Sequence, residues 1–174
     1  TMRATLDGPF SGFTAPFDLA IGRADISGTR LDGIAQRGTL GYDGKRWTLP
    51  LDASVRRITS GNTLVDPRLV NGRLTGTVFL ADSDLRSDNL ALRFSGLWAN
   101  LVLRGDIGQG SYALAGPVEL RGLALENLGT VDAGAKIRFA IGNNRPWRLA
   151  ANFTGRMPRV TNATLANLAG DNIR

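Results

Sequence analysis

The sequence predicts an all-β fold in which mostly antiparallel strands follow one another in a repetitive, strongly twisted sheet. Three observations lead to this prediction. Apolar and polar residues alternate within residues 135–155, where Ile137, Phe139 and Ile141 are interleaved with Lys136 and other polar residues, as in a strand with one apolar face. Clusters of Gly, Asn, Asp and Pro separate such segments, as turns do in hairpins. No amphipathic helix pattern intervenes, so a parallel βαβ architecture is not expected.

The N-terminal half of the chain contains strands, a hairpin and a loop. Asp43 and Gly44 form a dipeptide that supplies the positive φ of a tight hairpin turn. The strand after this turn places Trp47, Leu49 and Leu51 on one face. The predicted segments are a strand within 9–22, a short strand and turn over 24–34, the hairpin arms 39–42 and 46–56, and a polar loop over 59–68.

The C-terminal half continues the same pattern. Leu90, Leu92 and Phe94 share one predicted face, opposite Arg93. The segment 160–170 is ambiguous, because its Ala and Leu content favours a helical turn whereas its Thr and Asn content does not. In all, roughly ten to twelve short strands are expected at the spacing typical of all-β chains. The remaining predicted strands are 69–80, 85–94, 97–106, 111–120 and 123–128, followed by the hairpin arms 135–141 and 147–155.

The residue inventory argues against catalysis. Neither Cys nor His is present, which excludes disulfides, zinc sites of thiolate or imidazole ligands, and Ser-His-Asp or Cys-His nucleophiles. The acidic group of Asp82, Asp84 and Asp88 does not match a calcium loop, because Ser87 and Arg93 stand where Gly and Glu are required. We therefore predict no enzymatic activity, no cofactor and no metal site.

The net charge of +6 permits a polyanionic partner, but the cations are spread along the chain and form no basic block. Residues such as Lys136, Arg138 and Arg148 are interpreted as the solvent-exposed face of strands whose other face is apolar. A nucleic-acid platform needs rings and cations on one surface, whereas the alternation sends Trp147 and Arg148 to opposite faces. A nucleic-acid partner is therefore not expected.

The junctions between strands carry a family resemblance. Leu-x-Gly and Gly-x-Leu patterns recur, as in Asn71-Gly-Arg-Leu-Thr-Gly-Thr-Val78 and in residues 114–125. This recurring pattern resembles the repetitive β region of AsmA-like proteins, and it is most similar to that of the YdbH branch, whose relatives include TamB. The resemblance implies a long periplasmic protein, anchored in the inner membrane, with a curved β half-pipe (a β-taco) and an apolar groove. It also implies phospholipid transport between the inner and outer membranes, with partner proteins in both.

The chain is accordingly expected to be a single all-β domain over residues 1–174 and a segment of a longer protein. Its groove would shield phospholipid acyl chains from water without catalysis. Burying each methylene group lowers the free energy by about 0.8 kcal/mol, so no chemical step is needed. The predicted lining residues are Phe17, Leu19, Ile21, Trp47, Leu49, Leu51, Leu90, Leu92, Phe94, Leu101, Leu103, Val118, Leu120, Ile137, Phe139, Ile141, Trp147, Leu149 and Phe153.

The same alternation is also compatible with a closed β-sandwich or barrel. In that alternative the apolar residues fill a core, and the domain is an extracytoplasmic structural or protein-interaction module. The alternation alone does not separate the two, because a groove and a core both require one apolar face. An open sheet would favour the groove, and a closed sheet would favour the module.

Overall fold

The computed structural model describes residues 1–5, 7–9, 11–26, 28–142, 145–161, 164 and 167, with only the backbone described at 145–147. Within this part, no helix is long and apolar enough to cross a membrane. A 3-10 helix, Asp66–Arg68, lies in the loop before the fifth strand. Thr164 and Asn167 are helical, and the rest of the ambiguous segment beyond Thr161 lies outside the described residues.

Ten β-strands account for most of the described chain, which confirms the all-β prediction. The strands are β1 (Met2–Ala4), β2 (Phe13–Ile26), β3 (Thr29–Tyr42), β4 (Arg46–Thr59), β5 (Val70–Ala81), β6 (Asp84–Phe94), β7 (Leu97–Asp106), β8 (Ser111–Leu125), β9 (Gly129–Gly142) and β10 (Arg145–Val160).

All ten strands form one sheet in the order of the sequence, and each strand pairs antiparallel with the next. Tight turns make this arrangement possible. In the turn between β3 and β4, Gly44 has a φ of +89°, and the Asp43 carboxylate accepts hydrogen bonds from the backbone N–H groups of Lys45 and Arg46 at 3.1 and 2.8 Å. These bonds hold the pKa of Asp43 below its usual value and fix the hairpin predicted at this point.

The sheet is open. β1 and β10 are its two edges and do not pair with each other. Among the described apolar residues, only Ala15, Leu90 and Ala99 are buried, whereas a second sheet packed on the first would bury a whole inner face. The alternative of a closed barrel or sandwich is therefore wrong, and the open sheet is consistent with an open groove.

The strands are longer than expected, and two predicted boundaries are wrong. Residues 24–34 are not a separate short unit but the end of the β2–β3 hairpin, in which Asp25 lies opposite Arg30. The two strands predicted at 111–120 and 123–128 are one strand, β8. Sequence alternation breaks within β8 at Gly122, which has a φ of +62°.

The break in β8 is a bulge rather than a turn. The register of β8 against β9 shifts between Leu120, which lies opposite Ala133, and Leu123, which lies opposite Val131. An extra residue in one strand restores the phase of the pleat without ending the strand. Both leucines consequently lie on the same face of the sheet, although they are three residues apart in sequence.

Candidate functional site

One face of the sheet is apolar from edge to edge. In an antiparallel sheet, residues directly opposite each other point to the same face, so a row can be followed from strand to strand through the pairings. One row crosses all ten strands, and nine of its ten residues are apolar. The row is Met2, Leu19, Gln36, Ala53, Leu74, Leu92, Ala99, Val118, Ala135 and Phe153. We call the surface that contains this row the apolar face.

The register brings the predicted lining residues together on the apolar face. Neighbouring rows connect Ile21 with Ile34 and Val55, and Leu90 with Leu101. Every predicted lining residue with a described side chain lies on this face, whereas the side chain of Trp147 lies outside the described residues. The lining residues other than Trp147 are placed on this face by the strand pairings. These are the pairings of β2 with β1 and β3, of β4 with β5, and of each successive pair from β5 to β10.

Burial on the apolar face decreases toward β10. Leu90 at the middle of the sheet is 6% exposed, while Ile141 on β9 is 44% exposed. On β10, Leu149 and Phe153 are 55% and 76% exposed. Most other large residues of this face are half-buried, and because no second layer covers them, it is the neighbouring side chains on the same face that shield them.

Gln36 is the one polar residue in the row that crosses the sheet, and it is 8% exposed. Its Nε2 donates hydrogen bonds to the carbonyl oxygens of Arg37 and Pro50, each at 3.1 Å. Its Oε1 accepts a hydrogen bond from the N–H of Asp52 at 3.1 Å. The direct pairing of β3 with β4 lapses between Gln36 and Gly41, so this side chain replaces backbone bonds beside Pro50, which has no N–H.

An aromatic cluster lies at one end of the apolar face. Phe13, Tyr42 and Trp47 occupy one row across β2, β3 and β4. The ring centroids of Tyr42 and Trp47 are 4.6 Å apart, and those of Phe13 and Trp47 are 5.4 Å apart in an edge-on arrangement. The rings contact one another and leave no cage between them, so we assign them to cross-strand packing.

The opposite face is polar and carries ion pairs between neighbouring strands. We call it the polar face. Asp18 pairs with Arg37 at 2.9 Å, and Asp132 pairs with Arg156 at 3.2 Å. Asp88 pairs with Arg104 in the same way. Such exposed pairs add little stability individually, but they place these six charged residues on the face opposite the apolar row.

Two carboxylates of the polar face have lowered pKa values. Arg73 donates hydrogen bonds to Asp52 at 2.8 and 3.0 Å, and these bonds hold the pKa of Asp52 below its usual value. The backbone N–H of Gly122 bonds to Asp132 at 2.8 Å and, with Arg156, lowers the pKa of that carboxyl. A carboxylate with a lowered pKa whose oxygens already accept hydrogen bonds is a weak proton acceptor, so neither group is suited to act as a general base.

The predicted acidic group does not assemble into an ion site. Asp82 has a φ of +51° and lies in the β5–β6 turn, while Asp88 is engaged by Arg104 on the polar face. Among the described residues, no three metal-ligating side chains converge. Of the three acidic residues, only Asp82 lies in the turn, because Asp84 and Asp88 belong to β6.

Comparisons with known proteins add no assignment. No family model matches the chain, and neither the curated proteins nor the solved structures include a match.

Proposed function

We propose that this chain is a non-catalytic lipid-binding segment whose apolar face shields phospholipid acyl chains. The observation that supports it is the row from Met2 to Phe153, which is apolar at every strand except at Gln36 and is covered by no second layer. An acyl chain laid along this face would exchange contact with water for contact with Leu, Ile, Val and Phe side chains. The headgroup would remain in water at the margin of the face.

The free energy of burying apolar surface favours an apolar ligand on this face. Removing apolar surface from water is worth about 25 cal/mol per Å², and soluble monomers rarely expose contiguous apolar patches of more than a few hundred Å². The apolar face spans ten strands, at a spacing of about 4.8 Å between neighbours. An acyl chain gains about 0.8 kcal/mol for each methylene that it buries there, which offsets the cost of leaving a bilayer without any chemical step.

The cellular setting that we propose follows the resemblance to AsmA-like proteins of the YdbH type. In this proposal the segment belongs to a longer protein that is anchored in the inner membrane and extends through the periplasm. It passes phospholipid between proteins of the inner and outer membranes. The open sheet favours this proposal over the alternative of an interaction module, which required the same residues to form a closed core.

A matched pair of substitutions on β10 tests the proposal. Leu149 and Ala150 are adjacent and exposed, and they point to the apolar and polar faces respectively. The wild-type chain is expected to copurify with phospholipid, measured by mass spectrometry of the extracted lipid. Leu149→Asp should reduce the bound lipid severalfold, whereas Ala150→Asp introduces the same charge and should not. Absence of lipid from the wild-type chain, or equal effects of the two variants, would contradict the proposal.

A further inference from the structure

Three cations of β9 and β10 lie on the polar face. Several arginines of this face form cross-strand ion pairs, as Arg37 does with Asp18 and Arg73 does with Asp52, whereas others, such as Arg86 on β6, form none among the described residues. Lys136, Arg138 and Arg148 are exposed, and no ion pair joins any of them to another described residue. The net positive charge of the chain is thus partly concentrated in one uncompensated group.

The three cations lie close together. Lys136 and Arg138 are two residues apart on the same face of β9, a separation of about 7 Å along a strand. Arg138 lies opposite Ala150, and Arg148 lies opposite Ala140, so Arg148 is the diagonal neighbour of Arg138 across the β9–β10 pairing. Such diagonal neighbours are within reach of each other when their side chains are long. We call these three residues the cationic group.

The carboxylates on the same face of β8, β9 and β10 are already engaged. Glu119 pairs with Arg121 at 3.6 Å, and Asp132 pairs with Arg156 at 3.2 Å. Neither compensates the cationic group, whose members have no carboxylate within salt-bridge distance among the described residues. A surface with this arrangement attracts an anionic partner.

Small residues form the floor between the cations. An open depression of about 440 Å³ lies beside Lys136 and Arg138, and its lining includes Ala115, Pro117 and Ala150. Because these side chains are short, the charged side chains stand above the strand surface, and an extended anionic surface can approach them closely. The cations are spread about 7 Å apart instead of converging on one point, which suits several headgroups better than a single phosphate.

We propose that the cationic group docks this edge of the sheet onto a bilayer surface that contains anionic phospholipid. The described part of β8–β10 has no aromatic ring on the polar face, and the Trp98 ring of the neighbouring β7 is already stacked against the Arg121 guanidinium, 4.6 Å from its centroid, which disfavours single-stranded nucleic acid. The proposal goes beyond acyl-chain binding and does not depend on it, since the cationic group lies on the other face.

Vesicle cosedimentation tests the docking. The probe is a set of vesicles of one-third phosphatidylglycerol and two-thirds phosphatidylcholine, compared with vesicles of phosphatidylcholine alone. Each basic residue near an anionic surface is worth about 1 kcal/mol, or roughly fivefold in partitioning. The combined variant Lys136→Gln, Arg138→Gln and Arg148→Gln should therefore bind the anionic vesicles roughly 100-fold more weakly than the wild-type chain.

A control variant separates the cationic group from net charge. Arg3, Lys45 and Arg57 are exposed and lie on or beside β1, β3 and β4. Their combined replacement by Gln removes the same charge and should weaken binding much less. Circular dichroism and thermal unfolding establish that both variants are folded.

Four results would overturn the docking proposal. Equal weakening by the two variants, or equal binding of the wild-type chain to both kinds of vesicle, would overturn the proposal. Competition by inorganic phosphate at the vesicle phosphate concentration would indicate a single-phosphate site, and tighter binding of a DNA oligonucleotide would indicate nucleic acid. Either result would also overturn it. Leu149→Asp should leave docking within about twofold, so failure of lipid copurification and failure of docking are distinguishable.

Discussion

Phe153 lies directly opposite Ala135 in the pairing of β9 with β10, and 76% of its surface is exposed to solvent. The small side chain of Ala135 cannot shield an aromatic ring, and no strand lies beyond β10 in the described sheet. The ring therefore contributes little to folding in this state. Its position on the apolar face instead makes it available to an apolar ligand.

Phe153→Ser is predicted to separate binding from stability. Exposed substitutions away from packed features change the free energy of unfolding by about 0.5 kcal/mol or less, so urea unfolding should be nearly unchanged. Bound phospholipid should fall, because serine removes apolar contact area. Thr154→Ser, which changes the adjacent residue on the polar face, is the matched control. A loss of stability above about 2 kcal/mol would show that Phe153 is a packed core residue.

Gln36→Leu is predicted to destabilise the fold by about 1–3 kcal/mol, measured by denaturant unfolding. The substitution makes the crossing row of the apolar face completely apolar, but it leaves the N–H of Asp52 and the carbonyl of Pro50 without the Gln36 side chain that bonds them. The loss of these bonds should outweigh the gain in apolar area. An increase in stability would show that solvent satisfies these backbone groups.

Gly116→Ala should destabilise the sheet by about 1–3 kcal/mol. Gly116 has a φ of +154°, and an added Cβ would overlap the backbone carbonyl oxygen of Asn100 on β7. The control is Gly22→Ala, because Gly22 has an ordinary φ and open space around its Cβ position. Thermal unfolding should show a lower midpoint for Gly116→Ala alone, and equal midpoints would contradict the β7–β8 geometry.

The ion pair of Asp52 with Arg73 predicts a specific pH dependence. The pKa of Asp52 is lowered below 3.8 in the folded chain, first by the Arg73 hydrogen bond. The pair's contribution is therefore fully present above the unfolded pKa of Asp and is lost as the pH falls through the lower, folded value. Asp52→Asn should lower the thermal midpoint at pH 7, and this difference should shrink toward zero in acid. A difference that persisted below both pKa values would point to lost packing instead of lost charge.

Alternation was sufficient to predict much of this architecture. The large residues of β9, such as Ile137 and Phe139, recur at every second position, and the observed pairing keeps them on one face with Leu149 of β10. The open state of the sheet could not be obtained this way, since core and groove residues alternate identically. That distinction depends on whether β10 meets β1, which is a long-range relationship.

Local exceptions escaped the sequence pattern for physical reasons. Gly122 interrupts the alternation of β8 because a bulge adds one residue, and in sequence this is indistinguishable from a strand end. Gln36 gave no signal, because its hydrogen bonds to β4 depend on where the backbone pairing lapses. The cationic group was anticipated as a solvated wall, but the absence of carboxylate partners for Lys136, Arg138 and Arg148 among the described residues is visible only in three dimensions.

Site-specific photo-crosslinking tests whether phospholipid contacts the apolar face and not the polar face. The chain contains no cysteine, so a single cysteine can carry a benzophenone label without background. Phe139→Cys places the label on the apolar face, and Ala140→Cys places it on the polar face one residue away. On illumination with phospholipid, the label at position 139 should form lipid adducts detectable by mass spectrometry, and the label at position 140 should form few. Equal yields at the two positions, or no adduct at position 139, would contradict the account.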